Sequence, residues 1–480
     1  MPGHPIAAFV LALAAGSAVA ADDAPARYTL RYDAAAETMA VRLCLPHAED
    51  TVRFTADRAA ARFVDAFART NEPASAPARA GGVWSAKGWH AGECLSYRAA
   101  LGRIVDAGDR GLGARHGGAI VVDPDVWLLR TDDADRRVPA EVDVELPPGY
   151  AISAPWHPLP GSDGTRFSLS PTPKDWLARI AIGKFGSKDI PLRGGTLRLS
   201  ILEGADASQR AMLEAWLAHV SRATLSAYGK LPLADVQVLI VPDRDTDNEA
   251  VGFGQSSRGQ GHALTLFVDP DKSPKAFDRD WVAVHELSHL FHPYLDDEGS
   301  WLAEGLATYY QNVLRARAGL LTAADAWEQI DYGFARGRGA TRAGNDVPLG
   351  ASGERPNFMR IYWSGTAYWL EVDTELRRMS GNRLTIDEAL HRFDDCCLPS
   401  YRAWEPAEFV AKLDALMGTD VFRKHFDAYA TRRDFPDLKP LYARLGIVRA
   451  GDSLRFDDTA PDAGVRVAIM APPSMPPSAR

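Results

Sequence analysis

Two histidines stand four residues apart in His285-Glu286-Leu287-Ser288-His289, with a glutamate next to the first. On a helix, positions i and i+4 share one face, so both imidazoles can reach a single zinc ion. Glu286 lies beside them, where its carboxylate can take a proton from a water that such an ion acidifies. Val284, Leu287 and Phe291 recur at i, i+3 and i+7 and would anchor the opposite side of that helix against a sheet. The alternative is a surface helix with two solvated histidines.

Two nitrogens need a third ligand, and Glu304 supplies a candidate. It follows in Trp301-Leu302-Ala303-Glu304-Gly305-Leu306-Ala307-Thr308-Tyr309-Tyr310, which reads as the next helix. A tight connection through Pro293 and Asp296-Asp297 would pack the two helices together. Glu304 would then complete a two-histidine, one-glutamate site for one zinc per chain, with its fourth position open for water, as in catalytic zinc sites. Two other ligands fit less well: His292 is followed at once by Pro293, and a longer motif needing histidine at 295 meets Leu295.

The elements that must position these residues fall into two halves. From Arg27 to about Leu202 the apolar pattern has period two, as in Tyr28, Leu30, Tyr32 and Met39, Val41, Leu43, Leu45, with Pro or Gly clusters between runs. This predicts antiparallel strands with one buried face, a β-sandwich. After Gly204 come a helix striped by Leu213, Trp216, Leu217 and Val220, then strands at Val236–Val241 and Leu264–Val268. Helices are expected near 279–292, 300–318, 361–379, 385–394, 406–417 and 419–432, with a structureless Gly/Arg-rich loop from Gly333 to Gly344. The fold class is thus α+β and multidomain: a leader at 1–20, a β domain at 21–203, a mostly helical domain at 204–440, and an extension at 441–480 ending in a frayed Pro-rich tail.

Composition narrows the partners. Lys+Arg 54 against Asp+Glu 63 leaves a net charge of −9, which offers no global positive field to nucleic acid. Residues Ile6 to Ala15 are apolar but too short to span a bilayer, and Ala18-Val19-Ala20 has the small-x-small pattern of a signal-peptidase site. Export to the periplasm, without stable membrane insertion, is therefore expected. An oxidising compartment would let Cys44 and Cys94 bridge, the alternative being two buried thiols. Adjacent Cys396 and Cys397 suit a metal poorly and are either a vicinal disulfide or two free thiols.

The HExxH segment, the short gap and W-x-x-E-G-x-x-x-Y-Y together resemble the gluzincin metallopeptidases, most closely the glycyl-aminopeptidase type. The resemblance implies a β-rich N-terminal domain before a thermolysin-like catalytic domain, and a peptide or protein substrate. It also implies that a tyrosine heading a Y-x-K-G segment assists the oxyanion. Tyr362-Trp363-Ser364-Gly365 matches with Ser in place of Lys, so Tyr362 inherits that role. The family's upstream G-x-x-E, whose Glu grips a substrate's α-ammonium, is here Gly252-Phe253-Gly254-Gln255. An amide lacks the charge that pairs with an ammonium, which leaves aminopeptidase and endopeptidase both open. The PDZ domain usual in that family has no room in the residues after Pro440. A peptidase-like binding or assembly protein without turnover is the rival from another class.

Overall fold

The computed structural model describes residues 24–472 except 72–75, 132–139, 174–175, 343–346, 353 and 452. The leader expected at 1–20 and residues 473–480 of the tail lie outside the described residues.

Alternation turns Tyr28, Leu30 and Tyr32 inward from the strand Ala26–Asp33. That strand pairs antiparallel with Thr38–Cys44, but on its other side it runs parallel to Ala140–Glu145. The expectation of a purely antiparallel half is corrected at this pair. Its strands are far apart in sequence, so no hairpin forces them to run in opposite directions. A seven-stranded sheet and two four-stranded sheets make up this half, and Leu30, Phe54, Trp84, Ile120 and Ile180 from them are buried in one apolar cluster. Cys44 lies directly opposite Cys94 on the neighbouring strand, with Cα atoms 4.0 Å apart, and their sulfurs are bonded. Cys396 and Cys397 are bonded as well, at the end of the helix Ile386–Cys397.

The second half is built on a five-stranded sheet in the order Gly186–Leu192, Gly195–Ile201, Asp235–Pro242, His262–Val268, Val251–Arg258. Two of these strands precede residue 204, and Ile190, Leu197 and Leu199 belong to the core of this half. The last strand, an edge, is absent from the sequence reading because Gly252 and Gly254 interrupt its apolar alternation. His262–Val268 is hydrogen-bonded on both sides, by Asp235–Pro242 in parallel and by the edge strand antiparallel.

The helix expected over 279–292 is divided into Pro274–Arg279, Val282–Ser288 and a 3-10 turn at His289–Phe291. Asp280 makes the break. Its carboxylate accepts from the Val282 N–H at 2.7 Å and the Val251 N–H at 3.3 Å, so it starts the second helix and ties it to the edge strand.

The loop expected from Gly333 is corrected: a helix runs over Ala323–Arg342. Ala326, Trp327, Ile330 and Phe334 are buried along it. The glycines that follow are contact points, since a Cβ on Gly333 would overlap the Trp363 ring and one on Gly337 would stand 2.6 Å from Phe435. The apolar period fades there because glycine packs without an apolar side chain.

Beyond Pro440 the chain forms a hairpin, Ile447–Ala450 with Ser453–Phe456, and a helix, Ala463–Met470. Ile447, Val465 and Ile469 join the main core, and the Arg317 Nε donates to the Ile469 carbonyl at 2.8 Å. No helix among the described residues is long and apolar enough to cross a membrane.

Candidate metal centre

Three helices meet at the centre: Val282–Ser288, which carries His285 and Glu286; Ser300–Arg317, which carries Glu304; and Glu354–Ser380, which carries Tyr362. The last two cross where Gly305 faces Gly365. A Cβ on Gly305 would overlap the Gly365 backbone, and one on Gly365 would overlap the Trp301 carbonyl. This close approach sits one residue after Glu304 and three after Tyr362, and it brings those two side chains to the same place.

His285, His289 and Glu304 offer ligand atoms that all lie within 4.8 Å of one another. The Glu304 carboxylate is 3.1 Å from His285 Nε2 and 3.6 Å from His289 Nε2. The opposite nitrogens are occupied. His285 Nδ1 is 2.8 Å from Gln311 Oε1, which can only accept, so the ring proton sits on Nδ1. His292 Nδ1 donates to the Pro293 carbonyl at 2.6 Å, which leaves its Nε2 to accept from His289 Nδ1 at 3.1 Å. With Nδ1 of each motif histidine engaged from behind, both Nε2 atoms point at Glu304, where a zinc ion could take their lone pairs together with the carboxylate.

Burial lowers His289 to about 4 and His292 well below its usual range, so both rings are neutral near pH 7. Burial works to raise Glu304, but His289, His285 and the Tyr362 hydroxyl outweigh it and hold the carboxylate at about 2. Glu286 is different: burial lifts it to about 7, against the opposing influence of His285 and a hydrogen bond from the Ser256 N–H. Tyr362 is half-buried, hydrogen-bonded to Glu304 and stacked on His285 with centroids 5.7 Å apart.

The edge strand passes beside Glu286. A Cβ on Gly254 would stand 2.7 Å from the Glu286 Cγ and 2.5 Å from Val282, so only glycine lets the strand lie this close. Strand alternation then sends Gln255, exposed and opposite Thr265, to the other face of the sheet. Gly252 lies against Thr246 and is not part of the centre. At the strand's end Arg258 donates to the carbonyls of His289 at 2.8 Å and His292 at 3.0 Å, fixing the turn behind the second histidine.

Gln311, Arg258 and Ser256 are absent from the sequence reading, and Gly305 and Gly365 stand in it only as motif positions without a packing role. Gln311 follows Glu304 by seven residues, two helical turns along the same face, which is a signal that periodicity carries. His292 enters that reading as a rival ligand; it stands instead behind His289 as its support.

Neither a family model nor a curated protein sequence matches the chain. Among solved structures it is similar to an aminopeptidase N family protein from Idiomarina loihiensis, with TM-score 0.65 and 12% identity over 88% of this chain and 78% of that one. It is also similar to an M1 zinc metallopeptidase from Deinococcus radiodurans, with TM-score 0.55 and 17% identity over 86% and 94%. An E323A mutant of the latter, bound to a Tyr-Ser-Ala substrate, aligns with TM-score 0.55 and 16% identity. At such identities the likeness is one of fold alone.

Proposed function

We propose that the protein is a zinc-dependent peptidase. The observation that carries this reading is the convergence of His285 Nε2, His289 Nε2 and the Glu304 carboxylate, with both histidine tautomers set by hydrogen bonds from behind. A zinc ion held there would supply Lewis acidity, acidifying a water and polarising a carbonyl. Glu286, buried beside the ligands, takes the water's proton as general base and returns it to the leaving nitrogen as acid. The Tyr362 hydroxyl can donate to the negative charge that builds on the carbonyl oxygen.

Substrate alignment falls to Val251–Arg258, whose outer edge has no strand partner among the described residues and offers its backbone to an extended peptide. Leu264–Val268 is closed to this task, being paired on both sides. Because the strand lays Gly254 beside Glu286 and turns Gln255 to the other face, it brings no ammonium-gripping carboxylate to the centre, so N-acetylated peptides should be cleaved at least as well as free ones. Strong preference of the wild type for the free amine would restore the aminopeptidase reading. The finer architecture belongs to the same proposal: a β-sandwich N-terminal half, a thermolysin-like catalytic half, and export to the periplasm after cleavage at Ala20. The two bonded cysteine pairs are compatible with that compartment.

Metal analysis with digestion of a mixed peptide library tests the reading. Wild type should hold about one zinc per chain. Glu286→Gln should keep the metal and lose most turnover. Zinc without turnover in the wild type would favour the binding-protein alternative.

A further inference from the structure

Four rings run through the centre in a row. Trp281 stands edge-on to His285 with centroids 5.5 Å apart, His285 stacks on Tyr362, and Phe358 stands edge-on to Tyr362 at 6.4 Å. The inner two belong to the proposed chemistry. The outer two neither ligate nor move a proton, yet they are 44% and 51% exposed.

Single exposed apolar side chains are ordinary, but the placement of these two is not. Trp281 precedes the ligand His285 by one helical turn, and Phe358 precedes Tyr362 by one turn. Each therefore presents an apolar ring to solvent directly beside a ring of the proposed centre, Trp281 beside the ligand His285 and Phe358 beside Tyr362. Phe253, also exposed, is excluded: it packs on Phe267 with centroids 6.0 Å apart, on the sheet face turned away from Glu286.

Resting on the peptidase reading above, we propose that Trp281 and Phe358 wall the substrate cleft and select peptides with large apolar side chains, aromatic or branched aliphatic, on the residues flanking the scissile bond. A substrate side chain laid against either ring removes apolar surface from water on both partners, and an aromatic one adds an edge-to-face contact.

The test digests a peptide library with the zinc-loaded mature protein, maps the cleaved bonds by mass spectrometry, and measures kcat/KM for a matched pair of peptides with Phe or Ala at the favoured position. Cleavage windows should be enriched in Phe, Tyr, Trp, Leu and Met beside the bond. Trp281→Ala and Phe358→Ala should each lower the Phe-over-Ala ratio roughly tenfold, mainly through KM, while Trp281→Phe and Phe358→Leu retain most of it. Zinc content and melting temperature should not change, because both side chains stand at the surface. An unchanged ratio in one variant removes that residue from the cleft. Glu286-dependent cleavage without the enrichment, or an unchanged ratio in both variants, overturns the selection and leaves the peptidase reading in place. No Glu286-dependent cleavage anywhere in the library overturns the peptidase reading and this one with it.

Discussion

A neutral imidazole can give a metal only the nitrogen that does not carry its proton, so the groups behind a histidine decide what it can bind. Here Gln311 makes that choice for His285, and His292, itself set by the Pro293 carbonyl, makes it for His289. Gln311→Leu and His292→Leu should each weaken zinc binding about 10- to 100-fold, measured by competition with a chelating dye, while the fold persists. Unchanged affinity in both would show that the tautomers are set elsewhere. Tyr362→Phe should lower kcat more than KM, because its hydroxyl gains a stronger partner only as charge develops. Full activity would return Tyr362 to a packing role. At this scale the ligands were legible because HExxH is a local pattern on one helix face and Glu304 follows closely. The supports were less so: a glutamine or a third histidine carries no mark of its role until the backbone shows what lies behind it.

Between helices the decisive residues are the smallest. Gly305 and Gly365 let Ser300–Arg317 and Glu354–Ser380 touch backbone to backbone beside Glu304 and Tyr362, and buried polar contacts lock the register further along. Tyr309 donates to Asp373 at 2.9 Å across this pair, Tyr310 donates to Asp387 of the helix Ile386–Cys397 at 2.8 Å, and Arg377 holds Asp373 from one turn along its own helix at 3.0 Å. Gly365→Ala should force the helices apart, lowering both melting temperature and zinc retention. Gly339→Ala is the control: a Cβ there meets nothing within 4 Å inside the helix Ala323–Arg342, so it should stabilise by about 0.5–1 kcal/mol. Equal effects of the two substitutions on denaturant midpoints would refute the crossing argument. Asp373→Ala should cost about 1–3 kcal/mol in denaturant unfolding, because it strips Tyr309 of its acceptor and leaves buried Arg377 with only the longer contact to Asp387 at 3.4 Å. The sequence shows most helices of this half because their apolar stripes repeat at helical spacing. It hides the edge strand and the Ala323–Arg342 helix for one reason: both use glycine as a contact, and glycine is invisible to a hydrophobic period.

Over the whole molecule, two cores are organised differently. The β half is closed by the Cys44–Cys94 bridge, whose sequence separation of 50 should contribute about 4 kcal/mol by restricting the unfolded chain. Reduction, or Cys44→Ala with Cys94→Ala, should lower the midpoint of that half, and an unchanged midpoint would show that the sheet needs no cross-link. Its strands were legible from period two, whereas the parallel pairing of Ala26–Asp33 with Ala140–Glu145 was not, since alternation reveals which face is buried and not which strand lies alongside. The helical half gathers its core from Ile190 to Met470. Arg317, at the end of the helix that bears Glu304, is held by the Ile469 carbonyl. In a chain made from its N-terminus onward, the β half can therefore fold early, while the helix that carries Glu304 has Ser226 and Asp387 to hold Arg317 before residue 469 emerges and gains its last far-end anchor only then. The C-terminal residues thus close over a helix that is already docked, and removing Ala463–Met470 should lower the stability of the helical half before it disturbs the β half.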